Sequence, residues 1–187
     1  SAAPRTVLDE QLRSNALGVG ARAVTGRAVG VERSGDRVAT VRFTGSHGPF
    51  ELSCARLVVA DGARSQLGRV LGREWHRDTA YGGAARGYVR RHRSDDPWLS
   101  SHLELRGVSD EVLSGYGWVF PLADGTVNIG VGTLATARNP ADLNLRRLLQ
   151  HYADERRAEW GLTGGVERPW SALLPMGGAV SGVAGAN

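Results

Sequence analysis

Two runs of alternating side chains flank Asp124-Gly125 in the segment "YGWVFPLADGTVNIGVG", residues 116–132. Such alternation around this dipeptide is typical of a β-hairpin with a two-residue turn, because successive side chains on a strand point to opposite faces. The sequence then predicts three facing pairs, which are Tyr116 with Thr133, Trp118 with Val131, and Phe120 with Ile129. These pairs would form a bulky face, opposite a nearly bare face of Gly117, Pro121, Asn128, Gly130 and Gly132.

Two interpretations of this hairpin are open. In the first, a helix packs on the glycines and the aromatic side chains form an ordinary core. In the second, one face of the hairpin borders a flat ring or a long apolar tail. The residues of the hairpin alone do not choose between them.

The chain after residue 75 contains further segments typical of antiparallel strands: "YGGAARGYVRR" at 81–91, "SHLELRG" at 101–107 and "RPWSALLPMGG" at 168–178. Asn139-Pro140 predicts a helix start, because Asn caps helices and Pro fits the first helical position. The apolar face of that helix would consist of Leu145, Leu148, Leu149 and Tyr152. We therefore expect residues 75–187 to form an antiparallel sheet with a flanking helix.

The first 74 residues predict a helix at 6–17, capped by Thr6 and stopped by Gly18 and Gly20, with an apolar face of Leu8, Leu12 and Ala16. A small β-meander follows, and Leu57-Val58-Val59-Ala60 then predicts a buried strand that stops at Asp61-Gly62. Turns at strand ends are where α/β proteins hold nucleotide cofactors. The expected fold class is α+β, with a domain boundary near residue 75.

Composition narrows the class of protein. The chain has 41% hydrophobic and 22% charged residues, which is ordinary for a globular domain. Its net charge is +4, and all 23 of its basic residues are Arg. One cysteine excludes an internal disulfide, and five scattered histidines lack metal-ligand spacing, so we predict no metal site. No nucleic-acid motif is present, and the N-terminal segment has no apolar run typical of a signal peptide. A cytoplasmic location follows as the simplest expectation.

Three segments carry a resemblance to a known family. "VVADGARSQLGR" at 58–69 resembles the Asp-Gly motif of flavoproteins built like p-hydroxybenzoate hydroxylase, and the helix that begins near Arg5 is similar to a helix of the same superfamily. The segment 116–132, with "PMGG" at 175–178, resembles the geranylgeranyl reductase branch. The chain contains neither G-x-G-x-x-G nor G-D-A-A-G, the two flavin fingerprints of that family. The resemblance is therefore to a middle fragment of such an enzyme, which would have an α/β fold when intact.

The resemblance implies an FAD-dependent oxidoreductase that reduces C=C bonds of isoprenoid chains on a lipid, quinone or pigment precursor. Residues 1–74 would be part of an FAD-binding domain, in which Arg5, Asp61 and Gly62 contact FAD. Residues 75–187 would bind substrate, with Tyr116, Trp118 and Phe120 at the cavity. NADPH or another reductant would supply electrons, and a peripheral contact with the inner membrane face is compatible with an isoprenoid substrate. No residue is identified as a catalytic acid.

Three alternatives remain open. A flavin-dependent monooxygenase or halogenase of the same fold shares the Asp-Gly motif, although W-x-F-P argues against it. The chain could instead be an inactive structural domain, which bound flavin would exclude. An Arg-rich nucleic-acid-binding protein is the third alternative, and the scattered arrangement of its arginines argues against it.

Overall fold

The computed structural model describes residues 4–62, 64–73, 81–92, 97–134 and 144–175. The helices in these ranges are α1 (Arg5–Gly18), α2 (Gln66–Val70), α3 (Leu145–Glu155) and α4 (Arg157–Trp160). The strands are β1 (Arg27–Ser34), β2 (Arg37–Gly45), β3 (Gly48–Ser53), β4 (Tyr81–Arg91), β5 (Ser100–His102), β6 (Leu105–Arg106), β7 (Val112–Leu113), β8 (Gly115–Pro121), β9 (Thr126–Leu134) and β10 (Leu162–Pro175). This mixture of helices and antiparallel sheets confirms the predicted α+β class.

The described residues divide into two compact units. One contains residues from 1–14 and 80–176, and the other contains residues from 15–79. The predicted functional boundary near residue 75 stays a prediction, because compactness alone does not say what either unit binds. None of the described helices is long and apolar enough to cross a membrane.

The larger unit is built on a five-stranded antiparallel sheet with the order β10-β4-β9-β8-β5. Helix α3 packs against one face of this sheet. It begins after Asn144, whose side chain accepts hydrogen bonds from the N–H groups of Arg146 and Arg147 at 3.2 and 3.1 Å. The predicted start at Asn139-Pro140 lies outside the described residues. The buried core between α3 and the sheet contains Ala85, Val89, Val119, Val127, Ile129, Val131, Leu148, Leu149 and Tyr152.

The register predicted for the β8–β9 hairpin is wrong by one residue. Tyr116 pairs with Gly132, Trp118 with Gly130, and Phe120 with Asn128. The N–H of Leu122 donates to the carbonyl of Thr126 at 2.9 Å, so the loop has three residues rather than two.

The conformation of the loop explains this difference. A two-residue type I′ turn needs positive φ at both central positions, but in this loop only Gly125 has it, at 79°. The Asp124 carboxylate instead accepts hydrogen bonds from the N–H and Oγ1 of Thr126, at 3.0 and 2.6 Å. Asp124 has a negative φ, so the two-residue turn does not form. With the three-residue loop, the aromatic side chains share their face with Asn128, Gly130 and Gly132 rather than with Val131.

The smaller unit contains the predicted meander, with the strand order β1-β2-β3. Val38, Val41 and Leu67 are buried in its core, and Phe43 stacks on Phe50 with ring centroids 5.1 Å apart. Helix α2 is capped by buried Ser65, whose Oγ accepts from the N–H of Gly68 at 2.6 Å.

Residues 57–60 do not form the predicted buried strand. The structure assigns no strand there, and Val58 is 85% exposed, whereas Leu57 and Val59 pack against the core of the smaller unit. The segment pairs with no described strand, so it has no hydrogen-bonded ladder that would define it as part of a sheet.

Helix α1 confirms the predicted N-terminal helix but not its cap. The carbonyl of Pro4 accepts from the N–H groups of Val7 and Leu8 at 3.0 and 3.1 Å, so the helix begins before Thr6. It ends at Gly18, and in the turn that follows Gly20 has a φ of 97° and the N–H of Ala21 donates to the carbonyl of Ala16 at 3.0 Å. The predicted apolar face is uncovered, since no residue of α1 is buried.

Candidate functional site

A cavity of about 360 Å³ lies on the face of the large sheet opposite α3. We call it the aromatic trough. Its lining residues all belong to the larger unit and are Pro4, Arg5, Arg86, Tyr88, Tyr116, Trp118, Phe120, Leu122 and Asn128. The structure thus brings Arg5, expected at the cofactor, together with the three aromatic residues expected at the substrate.

Three aromatic side chains of β8 form one wall of the trough. Tyr116, Trp118 and Phe120 are two residues apart and therefore point to the same face. The centroids of neighbouring rings are 5.7 Å apart for Tyr116 and Trp118 and 6.2 Å apart for Trp118 and Phe120. Such tilted contacts stabilise aromatic neighbours and present a continuous apolar surface.

The Trp118 indole lies across strand β9 because that strand carries a glycine beneath it. A Cβ added to Gly130 would lie within 3.0 Å of the indole ring, so no other residue fits there without moving Trp118. The indole Nε1–H donates to Oδ1 of Asn128 at 2.9 Å. This hydrogen bond orients the ring and satisfies its polar group.

Strand β4 forms the other wall of the trough with Arg86 and Tyr88. Arg86 pairs with Gly130, so it lies in the same cross-strand row as Trp118. Its guanidinium carbon lies 5.3 Å from the centroid of the Tyr88 ring. Sequence reasoning missed Arg86, although the alternation of "YGGAARGYVRR" places residues 86 and 88 on one face.

Arg5 is the first residue of α1 and is exposed within the trough lining. Its guanidinium forms an ion pair with Asp9, with the Arg5 Nη2 and Asp9 Oδ1 atoms 2.9 Å apart. Because both side chains are more than half exposed, this pair contributes little to stability and leaves the guanidinium accessible to a ligand.

Asp61 and Gly62 lie in the smaller unit and are both exposed. Gly62 has a φ of 90°, and apart from its chain neighbours no described residue has an atom within 4 Å of the position that a Cβ would occupy. An exposed carboxylate beside an open glycine backbone fits a cofactor that offers sugar hydroxyls, because the carboxylate accepts hydrogen bonds and glycine permits close approach. These residues are therefore compatible with FAD.

On the opposite face of the sheet, His102 of β5 forms a hydrogen bond through Nδ1 with the hydroxyl of Tyr152 on α3. Burial raises the pKa of Tyr152 well above its ordinary value, so the phenol keeps its proton and donates it. Burial and the Arg156 charge lower the pKa of His102, against the opposing effect of Glu159. The other ring nitrogen of His102, Nε2, lies 3.2 Å from Oγ of Ser100 and 4.0 Å from Oε1 of Glu159. This cluster joins an edge strand to α3 and lies outside the trough.

Among the described residues, no three His, Cys, Asp or Glu side chains form a group that could hold a metal ion. The trough offers an apolar, aromatic surface with two arginines in its lining.

No family model matches the chain. It is 56% identical over 187 residues to a menaquinone reductase of Mycolicibacterium smegmatis, a match that covers 100% of this chain and 46% of the relative. It is 32% identical over 130 residues to digeranylgeranylglycerophospholipid reductase 2 of Methanothermobacter thermautotrophicus, which covers 68% of this chain and 33% of the relative. The chain thus spans about half the length of the menaquinone reductase. The second match covers about a third of the length of the phospholipid reductase.

Among solved structures, a geranylgeranyl bacteriochlorophyll reductase-like protein of Thermoplasma acidophilum matches with a TM-score of 0.73 and 21% identity, over 90% of this chain and 41% of that one. The chain shares the fold of that reductase-like protein. The flavin-dependent brominase Bmp2 matches with a TM-score of 0.66 and 15% identity, over 91% of this chain and 44% of the brominase. The fold is therefore shared with a halogenating enzyme, but the resemblance to geranylgeranyl reductases is confirmed by the sequence relatives as well.

Proposed function

We propose that the protein containing this chain is an FAD-dependent oxidoreductase that reduces a C=C bond in the isoprenoid chain of a quinone. The observation that carries the proposal is the aromatic trough, whose wall of three neighbouring rings suits a long apolar chain. The relationship to a menaquinone reductase across all 187 residues supports a prenylated quinone as the substrate class.

The reaction balances as a two-electron reduction. One carbon of the double bond would gain a hydride, which reduced FAD would supply when bound, and the neighbouring carbon would gain a proton. In this proposal Arg5, Asp61 and Gly62 contact the cofactor. Tyr116, Trp118 and Phe120 position the chain and keep water away from the reacting carbons. NADPH or another reductant would return electrons to the flavin, and no residue of this chain is assigned as the proton donor.

An isoprenoid quinone is a membrane lipid, so the proposal includes a cytoplasmic protein that contacts the inner membrane face peripherally. The chain carries a net charge of +4, which favours an anionic surface. No nucleic acid is part of the proposed function.

Trp118→Ala in the full-length protein tests the proposal. We expect kcat/KM for a menaquinone to fall about tenfold or more, because the substitution removes the central ring of the trough wall. The FAD content of the purified variant should stay at the wild-type level, because Asp61 and Gly62 are unchanged. Mass spectrometry of the quinone would measure the gain of two hydrogen atoms.

Trp170→Ala is the matched control for this test. Trp170 of β10 pairs with Arg86 of β4, so both side chains lie on the trough face of the sheet. Trp170 is 49% exposed and does not line the trough. The Trp170→Ala variant should retain near wild-type turnover.

A wild-type protein that adds oxygen or a halogen to its substrate would instead establish the monooxygenase or halogenase alternative. A Trp118→Ala variant that merely unfolds would assign this ring to the core.

A further inference from the structure

Arg86 is a cation in a largely aromatic cavity. Its side chain is half-buried, and in the part of the chain that the structure describes it has no hydrogen bond or ion pair. Its guanidinium packs on the face of the Tyr88 ring. A guanidinium has five N–H donors, and no nitrogen of Arg86 is among the buried, unpaired atoms of the described residues, so these donors are accessible to a ligand. The side chain therefore has the donors to hold an oxygen-bearing ligand inside the trough.

The position of Arg86 limits what that ligand can be. Arg86 and Trp118 flank Gly130 in one cross-strand row, with strands spaced about 4.8 Å apart. The indole covers Gly130, and Arg86, which pairs with Gly130 on the neighbouring strand, brings a guanidinium into the same trough. A planar ring that stacks on the aromatic wall would present an oxygen on its rim to Arg86.

The second arginine of the trough differs from Arg86 in its neighbours. Arg5 has an ion pair with Asp9 and is mostly exposed, so its charge is compensated within the chain. Arg86 has no such carboxylate among the described residues. Of the two, Arg86 is therefore the arginine whose N–H donors are available to an acceptor on a ligand.

From this arrangement we infer that Arg86 holds a carbonyl oxygen of the quinone ring, while the ring stacks on the aromatic wall of β8. This inference rests on the proposed function and adds a head-group site to it. Arg86 is a positioning residue in this arrangement, since it fixes one end of the substrate while the isoprenoid chain extends along the trough. The recognised chemistry is a neutral, planar quinone with its carbonyl oxygens, rather than a phosphate.

The experiment measures binding to the full-length, FAD-loaded protein by isothermal titration calorimetry. Three ligands separate head from tail: menadione, which is the naphthoquinone ring alone; geranylgeraniol, which is a prenyl chain without a quinone; and geranylgeranyl diphosphate. Arg86→Met should raise the Kd of menadione about tenfold, because a hydrogen bond from a charged donor is lost. The Kd of geranylgeraniol should stay within about twofold of the wild-type value, a change worth only a few tenths of a kcal/mol.

Two further variants complete the test. Arg86→Lys keeps the charge but loses the planar fork, so an intermediate loss of menadione affinity is expected. Arg90→Met is the matched control, because Arg90 belongs to the same strand, is exposed, and lies 3.7 Å from Glu167 rather than in the trough. Its menadione affinity should equal that of the wild type.

Several results would overturn the inference. These are menadione binding that does not change in Arg86→Met, a wild-type protein that does not bind menadione, an equal loss for menadione and geranylgeraniol, or a loss confined to geranylgeranyl diphosphate. The proposed function is tested separately by hydrogenation of the isoprenoid chain. If the wild type reduces no double bond but its menadione affinity depends on Arg86, the function is wrong and the ring site stands.

Discussion

Gly117 of β8 leaves the space that the ring of Tyr152 occupies. A Cβ added at Gly117 would lie within 3.0 Å of that ring, and Tyr152 is only 1% exposed in the core. Because the ring is held by α3 and by its hydrogen bond to His102, it cannot move aside easily. The glycine is therefore needed for the approach of α3 to the sheet.

We predict that Gly117→Ala lowers the free energy of unfolding by about 1–3 kcal/mol, the usual cost of an overpacked core. Urea denaturation followed by circular dichroism would measure the change. Gly132→Ala on β9 is the control, since its added Cβ would lie 3.6 Å from the Tyr116 ring, an ordinary contact distance. Equal losses for the two variants would contradict the packing argument.

At the scale of elements, the turn between β8 and β9 decides which side chains line the trough. Gly125 has a φ of 79°, and it is the residue that allows three loop residues to join Leu122 and Thr126. A one-residue change of register would carry Tyr116, Trp118 and Phe120 to a different set of partners on β9. The conformation of one loop residue is thus coupled to the composition of the site.

We predict that Gly125→Ala destabilises the chain by about 1–2 kcal/mol, because a left-handed conformation is unfavourable for a residue with a Cβ. Gly125→Asn should be less harmful, since Asn tolerates this conformation. Thermal unfolding of the two variants beside the wild type would measure the difference. If alanine is tolerated as well as asparagine, the loop does not depend on positive φ at this position.

At the scale of the whole molecule, the chain carries a trough but no phosphate-binding loop of the G-x-G-x-x-G type. That loop normally supplies backbone N–H groups and a helix N-terminus to the pyrophosphate of a dinucleotide. The three residues that we propose as cofactor contacts, Arg5, Asp61 and Gly62, would be too few to replace those of the loop. The aromatic trough itself is formed without that loop.

We predict that the 187-residue chain, purified alone, retains little FAD, whereas the full-length protein retains it. Flavin absorbance after gel filtration would compare the two proteins at equal concentration. A stoichiometric flavin spectrum in the 187-residue chain would show that its own residues are sufficient for tight binding, and this prediction would then be wrong.

The sequence by itself determined the features that depend on local periodicity and local caps. The alternation in residues 81–91 and 116–132 predicted β4, β8 and β9, and the spacing of Leu148, Leu149 and Tyr152 predicted the buried face of α3. These signals are local, because a helix or a strand repeats its own geometry along the chain. The same motifs carried the resemblance that the sequence relatives confirmed.

The tertiary structure alone decided the relations between distant residues. Register depends on how many residues the loop at Gly125 takes and on which face α3 covers, and neither follows from the alternation of one strand. Likewise, residues 57–60 have a strand-like sequence but no partner strand among the described residues. The row of Arg86, Gly130 and Trp118 exists only because three strands align, since a site assembled from separate strands is determined by their pairing rather than by any one of their sequences.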